Sequence, residues 1–188
     1  MHRWRYLELT TTSTKQKKQN SLKPGEILAY TGTQEEDLAI LKWYFELIAL
    51  NELEVFTTEN THTPFAFLQM LQQPNVFLYT VDGSFSIIHV ALFIPFLSGA
   101  CVSVWTSPSS RGSKGHIIFA QKTLEASLKT WPVIVAITKH DHLADLFEKA
   151  GFIWLERIDY LIDGEAANLL SITKEGYEQA DFSSLGGD

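Results

Sequence analysis

Residues 76–138 read VFLYTVDGSFSIIHVALFIPFLSGACVSVWTSPSSRGSKGHIIFAQKTLEASLKTWPVIVAIT, and this stretch decides the fold. Val76 to Val81 is β-branched and aromatic and reads as a strand. Asp82-Gly83 follows, a pair that supplies two positive-φ residues to a tight hairpin. Ser84 to Ile94 is nearly all apolar, which predicts a strand covered on both faces, and Pro95 ends it. Leu97-Ser-Gly99 turns the chain into Ala100 to Thr106, so three consecutive antiparallel strands are expected. A Ser/Gly-rich loop then leads to a helix from about Gly115 to Lys129, with Ile117, Ile118, Leu124 and Leu128 on its apolar side. Val133 to Ile137, directly after Pro132, is a strand again. Hairpins followed by a helical crossover specify a mixed sheet, because only parallel neighbours require a crossover.

Working outward, Glu26 to Thr31 reads as a first strand, and Thr33-Gln-Glu-Glu36 has the spacing of a capping box. Leu38, Leu41, Tyr44, Phe45 and Ile48 recur at helix period, which predicts a helix ending near Asn51. Phe65 to Gln72 is a second, shorter helix with Pro64 at its first position. Downstream, Thr138 and Asp141 are placed to cap a helix whose Leu143, Leu146 and Phe147 face inward and which Gly151 ends in a left-handed conformation. Phe152 to Ile158 and Asn168 to Thr173 complete the sheet. The expected order is β-α-α-β-β-β-α-β-α-β-β, an α+β architecture with a mostly antiparallel sheet flanked by helices.

Charge divides the chain unevenly. Of 188 residues, the first 25 hold Arg3, Arg5, Lys15, Lys17, Lys18 and Lys23 against Glu8, whereas the whole chain carries −7. Residues 26–188 are therefore strongly acidic, which argues against a body that tracks nucleic-acid backbone. Residues 10–24 contain one aliphatic side chain, Leu22, and no aromatic, too little to offset the entropy of ordering. The reading is a basic flexible arm over residues 1–25, a domain over 26–174 and a flexible Ser/Gly tail over 175–188. Trp4 to Leu9 within the arm is a docked strand or a partner-binding tip. The arm as a whole is a solvated linker or a contact for nucleic acid or an acidic protein surface. A single cysteine, Cys101, excludes an internal disulfide framework. No apolar run reaches the ~20 residues of a membrane helix, and the N-terminal stretch has no apolar signal region, so a soluble cytoplasmic protein is expected.

The element order, with a Pro-x-x-Arg-Gly segment opening the crossover helix (Pro108 to Gly112) and Glu148-Lys-Ala-Gly-Phe152 ending the next, resembles the GNAT N-acetyltransferase superfamily over about Glu26 to Lys174. The resemblance implies that the strand before the crossover splays from its neighbour and admits acetyl-CoA. It also implies that Ser109, Ser110, Arg111, Gly112, Ser113, Lys114, Gly115 and His116 hold the pyrophosphate at a helix N-terminus, where unsatisfied N–H groups favour an anion. The family's loop reads Arg/Gln-x-x-Gly-x-Gly/Ala. Here Arg111 takes the first position, but Lys114 and His116 stand at the two small ones, with Gly112 and Gly115 out of step. The family's frequent Glu on the splayed strand has no counterpart in Ala100 to Thr106. Its frequent Tyr, ahead of the Gly-Phe, is replaced by Phe147, and its Asn by His140.

Two functions follow from the resemblance. One is an acetyl-CoA-dependent N-acyltransferase acting on a small-molecule or protein amine, with His89 or a water as the base. The other is a catalytically silent scaffold that binds a protein partner through the arm, as in small virion proteins of some tailed phages, which look similar and would place it in a virion. His89 in an apolar strand is otherwise a hydrogen-bonded core residue, and Cys101 a small hydrophobe. Lys139-His-Asp-His142 is no metal site, because two imidazoles pointing apart cannot share an ion without a third element. Trp43, Trp105, Trp131 and Trp154 are assigned to the core.

Overall fold

The computed structural model describes residues 24–53, 63–72, 76–162 and 165–185. Nearly all of the basic arm, including Trp4 to Leu9, lies outside them. Seven strands form one sheet in the order β1-β2-β3-β4-β5-β7-β6: β1 (Leu28–Ala29), β2 (Val76–Val81), β3 (Ile87–Phe96), β4 (Gly99–Thr106), β5 (Val133–Thr138), β6 (Ile153–Ile162) and β7 (Glu165–Thr173). All neighbours are antiparallel except β4 and β5, which the crossover helix α3 (Lys114–Leu128) joins in parallel. The predicted order of elements is the observed one, with a short fifth helix added after β7.

One face of the sheet carries α1 (Gln34–Leu50) and α2 (Pro64–Leu71). The Thr33–Glu36 capping box opens α1 and Asn51 ends it at φ 56°. Ile40, Trp43 and Leu47 of α1 bury against Phe77 of β2, Leu92 of β3 and Trp105 of β4. The opposite face carries α3 and α4 (Asp141–Lys149), with Phe119, Leu124 and Ala144 over Phe93, Val102 and Ile134. β3 is buried on both faces, as its unbroken apolar run predicts, because Val90 and Leu92 belong to one core and Ala91 and Phe93 to the other.

Several local expectations are corrected. The β2–β3 turn is not a two-residue Asp-Gly hairpin. Asp82 Oδ1 instead accepts from Ser84 N (2.8 Å) and Ser86 N (2.9 Å), and positive φ falls on Phe85. A side-chain acceptor that gathers the loop amides competes with the tighter turn. Thr138 does not cap α4; His140 occupies that position, and Thr138 Oγ1 accepts the His140 N–H at 3.1 Å. Ala144 is the buried residue of α4, while Leu146 is 38% exposed. Trp154 is 47% exposed, outside the two cores, one holding Trp43 and Trp105 and the other Trp131.

The expected C-terminal tail holds a helix and a 3₁₀ turn, Phe182–Leu185, among the described residues. Lys174–Glu178 forms α5, and Phe182 is 7% exposed within the α3–α4 core. Two glycines make this docking possible. Gly151, at φ 91°, ends α4 as predicted, and a Cβ there would lie 2.5 Å from the Gly176 carbonyl of α5. Among the described residues no helix is long and apolar enough to cross a membrane.

Candidate acyl-CoA site

The parallel pairing of β4 with β5 runs from Gly99–Val133 to Val102–Ala136 and stops there, although β4 continues to Thr106 and β5 to Thr138. Beyond that point each strand stays with its other neighbour: Thr106 pairs with His89 of β3, and Thr138 with Asn168 of β7. The two strands diverge, leaving Val104 and Ile137 at 43% and 37% exposure in the middle of a sheet. Backbone groups and apolar side chains are thus both available in the gap.

The gap leads to the loop between β4 and α3. Ser107 is tied to β3 through Ile88 O (2.8 Å), and Pro108–Ser110 makes one 3₁₀ turn. Gly112 then takes φ 71°, which lets the chain reverse into the helix. Ser113 is the N-cap of α3, its Oγ accepting the His116 N–H at 3.2 Å. The first-turn N–H groups of Lys114 and Gly115 have no acceptor within the helix and add to its positive end. Counted from the cap, the small residue of the first turn is Gly115, one position after Lys114, which the spacing from Arg111 singles out.

His116 points toward the sheet. Its ring stacks on His89 (centroids 5.8 Å apart, 14° between planes), and His89 stacks in turn on Phe119 at 5.3 Å. His89 is 4% exposed, with Nδ1 3.4 Å from Thr106 Oγ1. Burial, aided by the neighbouring His116, pushes its pKa down to about 4, and burial followed by the Arg111 charge lowers that of His116. The structure therefore sets the expected base beneath the loop between β4 and α3, at the far end of the gap from Val102. Its neighbours are the core and the first turn of α3, and it lines no open surface. Cys101 is half-buried, and burial pushes its thiol up.

Arg111 donates from Nε to Thr106 O (3.2 Å) and from Nη2 to Glu52 Oε1 (2.5 Å). The other Glu52 oxygen accepts the Trp105 indole N–H at 2.6 Å. Sequence reading missed Glu52. Its only signal is its place directly after the helix-ending Asn51, and partners 53 and 59 residues away cannot be read from spacing. On the other side of the gap, Asp141 Oδ1 accepts from Arg157 Nη1 (2.8 Å) and Asn168 Nδ2 (2.9 Å), tying the start of α4 to β6 and β7. The rings of His140 and His142 lie 5.5 Å apart beside it, both exposed. Phe147 packs edge-on against Phe152 at 4.9 Å.

No protein-family model matches the chain, and no curated protein matches it in sequence. Solved structures do match in three dimensions. Spermidine N-acetyltransferase from Vibrio cholerae, in complex with CoA and spermine, superposes with a TM-score of 0.62 at 14% identity, covering 81% of this chain and 98% of that one. A GCN5-related N-acetyltransferase from Kribbella flavida gives 0.59 at 12% identity, with 78% and 97% covered. The divergent β4–β5 pair, the crossover helix opening on a Ser/Gly loop and the surrounding helices thus make up the fold of the GNAT N-acetyltransferases.

Proposed function

We propose that the protein binds an acyl-CoA in the gap between β4 and β5 and transfers the acyl group to an amine. The observation that carries this reading is the end of β4–β5 pairing at Val102–Ala136, which opens the sheet in line with the N-terminus of α3. The resemblance to an acetyltransferase structure that holds CoA and spermine supports it.

Acetyl-CoA supplies an activated thioester. The N–H groups of Lys114 and Gly115, the hydroxyls of Ser109 and Ser110 and the side chains of Arg111 and Lys114 would meet its phosphates. Ser113 and Gly112 shape the loop, and His116 and His89 support it from below. Backbone groups of Ser103 to Thr106 that neither β3 nor Arg111 takes up would hold the acyl arm as an added strand does. With His89 buried, the proton of the amine leaves to water.

A second reading, the silent scaffold, draws on what β4 and α4 lack. β4 has no carboxylate, and Phe147 has no proton to give a leaving thiol. On that reading the basic arm binds a protein partner.

Calorimetry with acetyl-CoA, paired with detection of released CoA thiol over a panel of amines, separates the cases. Binding heat with amine-dependent thiol release is the expected result. Binding without release favours the scaffold, and no binding heat at millimolar acetyl-CoA removes the acyltransferase reading.

A further inference from the structure

One carboxylate joins three elements of the candidate site. Glu52, just past the end of α1, accepts from the indole of Trp105, on the part of β4 that no longer pairs with β5, and from the guanidinium of Arg111, in the loop. The indole is anchored in the core at 5% exposure. The ion pair is open, with the Arg111 side chain 52% exposed and that of Glu52 26% exposed. Thr106 O holds Arg111 by Nε, which leaves the terminal nitrogens to the carboxylate.

This arrangement sets an acid against the cation best placed to meet an anion at the N-terminus of α3. Guanidinium binds carboxylate and phosphate with the same planar fork, so the two compete for it. We propose that Glu52 is the positioning residue for Arg111, an internal counter-ion that the phosphates of an acyl-CoA displace when they enter the loop. The proposal rests on the acyl-CoA reading above. Glu52 holds the guanidinium in place while the loop is empty, at a cost in affinity for the incoming anion. Displacement leaves Glu52 on Trp105 alone, so occupancy of the loop is felt at the end of α1.

The test uses the full chain, with inorganic pyrophosphate and acetyl-CoA as probes in calorimetry. Glu52→Gln keeps an amide oxygen for the indole and removes the charge. It is expected to tighten both probes about two- to fivefold, the size of a half-exposed charge interaction. A residue with a merely structural role would leave affinity unchanged or lower it. Arg111→Gln is expected to weaken binding and to abolish the gain from Glu52→Gln in the double variant. Glu125→Gln, which removes the same charge from the pair with Lys129 toward the other end of α3, is expected to change nothing.

Tryptophan emission supplies a second readout, with Trp105→Phe as the subtraction. Pyrophosphate is expected to shift the Trp105 signal in the native chain and to shift it less in Glu52→Gln. Equal or weaker binding by Glu52→Gln, with native binding intact, overturns this proposal alone. A gain that persists in the Arg111→Gln background also overturns it, and absence of binding by every variant overturns the acyl-CoA reading with it.

Discussion

His89, the candidate base, sits where burial governs its charge. It lies in a buried row, stacked between His116 and Phe119, and burial holds its pKa at about 4 against an ordinary 6.5. The unfolded chain therefore takes up a proton as pH falls below 6.5 while the folded chain does not. Stability is fully present above that value and declines until about pH 4, where the folded state is protonated too. Over the whole window the loss is on the order of 3 kcal/mol. Urea unfolding at pH 7 and pH 4.5 should show part of this decline, and His89→Phe, which keeps an aromatic ring against Phe119, should flatten it. A native-like slope in the variant would assign the pH dependence to other groups. The sequence marked His89 as unusual in an apolar strand, but only the register that sets it opposite Thr106 reveals which end of the gap it serves.

At the scale of elements, the hairpins, the crossover and the capping box were legible because each rests on local chemistry: β-branched runs, a Pro-x-x-Arg-Gly loop and a Thr three residues before a Glu. The misread details depend on competition between local and nonlocal partners. Asp82 uses its side chain to close a wider loop than Asp-Gly suggests, and Thr138 caps nothing because its hydroxyl is taken up one residue too early. The splay of β4 from β5 was expected only through the family resemblance, since no residue in Ala100 to Thr106 announces it. It yields its own prediction. Val104 is 43% exposed and lies past the last β4–β5 pair, so Val104→Glu should cost less than about 1 kcal/mol of stability. The same change sets a carboxylate in the gap and should weaken acetyl-CoA binding at least tenfold. Native affinity in that variant, measured by calorimetry, would move the ligand out of the gap.

For the whole molecule, the division into arm, domain and tail needs redrawing at its C-terminal end. Residues 175–188 read as a Ser/Gly tail because the composition is polar, yet the rings of Tyr177 and Phe182 meet at a tilt, 5.4 Å apart, and Phe182 joins the core. The Gly151–Gly176 approach that seats α5 against the end of α4 joins residues 25 positions apart, beyond any local pattern. Ending the chain at residue 174 should therefore cost about 3 kcal/mol or more, the scale of a buried Phe, and lower the urea midpoint in proportion. An unchanged midpoint would restore the tail.

The proposed acyl-CoA site asks an acidic body to hold an anion, and Arg111, Lys114 and the N-terminus of α3 are the positive groups gathered at one loop to meet it. The most direct test follows backbone amide resonances during an acetyl-CoA titration. The account predicts saturable shifts grouped at residues 103–106, 112–116 and 137–140, the two lips of the gap and the start of α3. No shift at millimolar ligand, or shifts confined to other faces of the sheet, would contradict it.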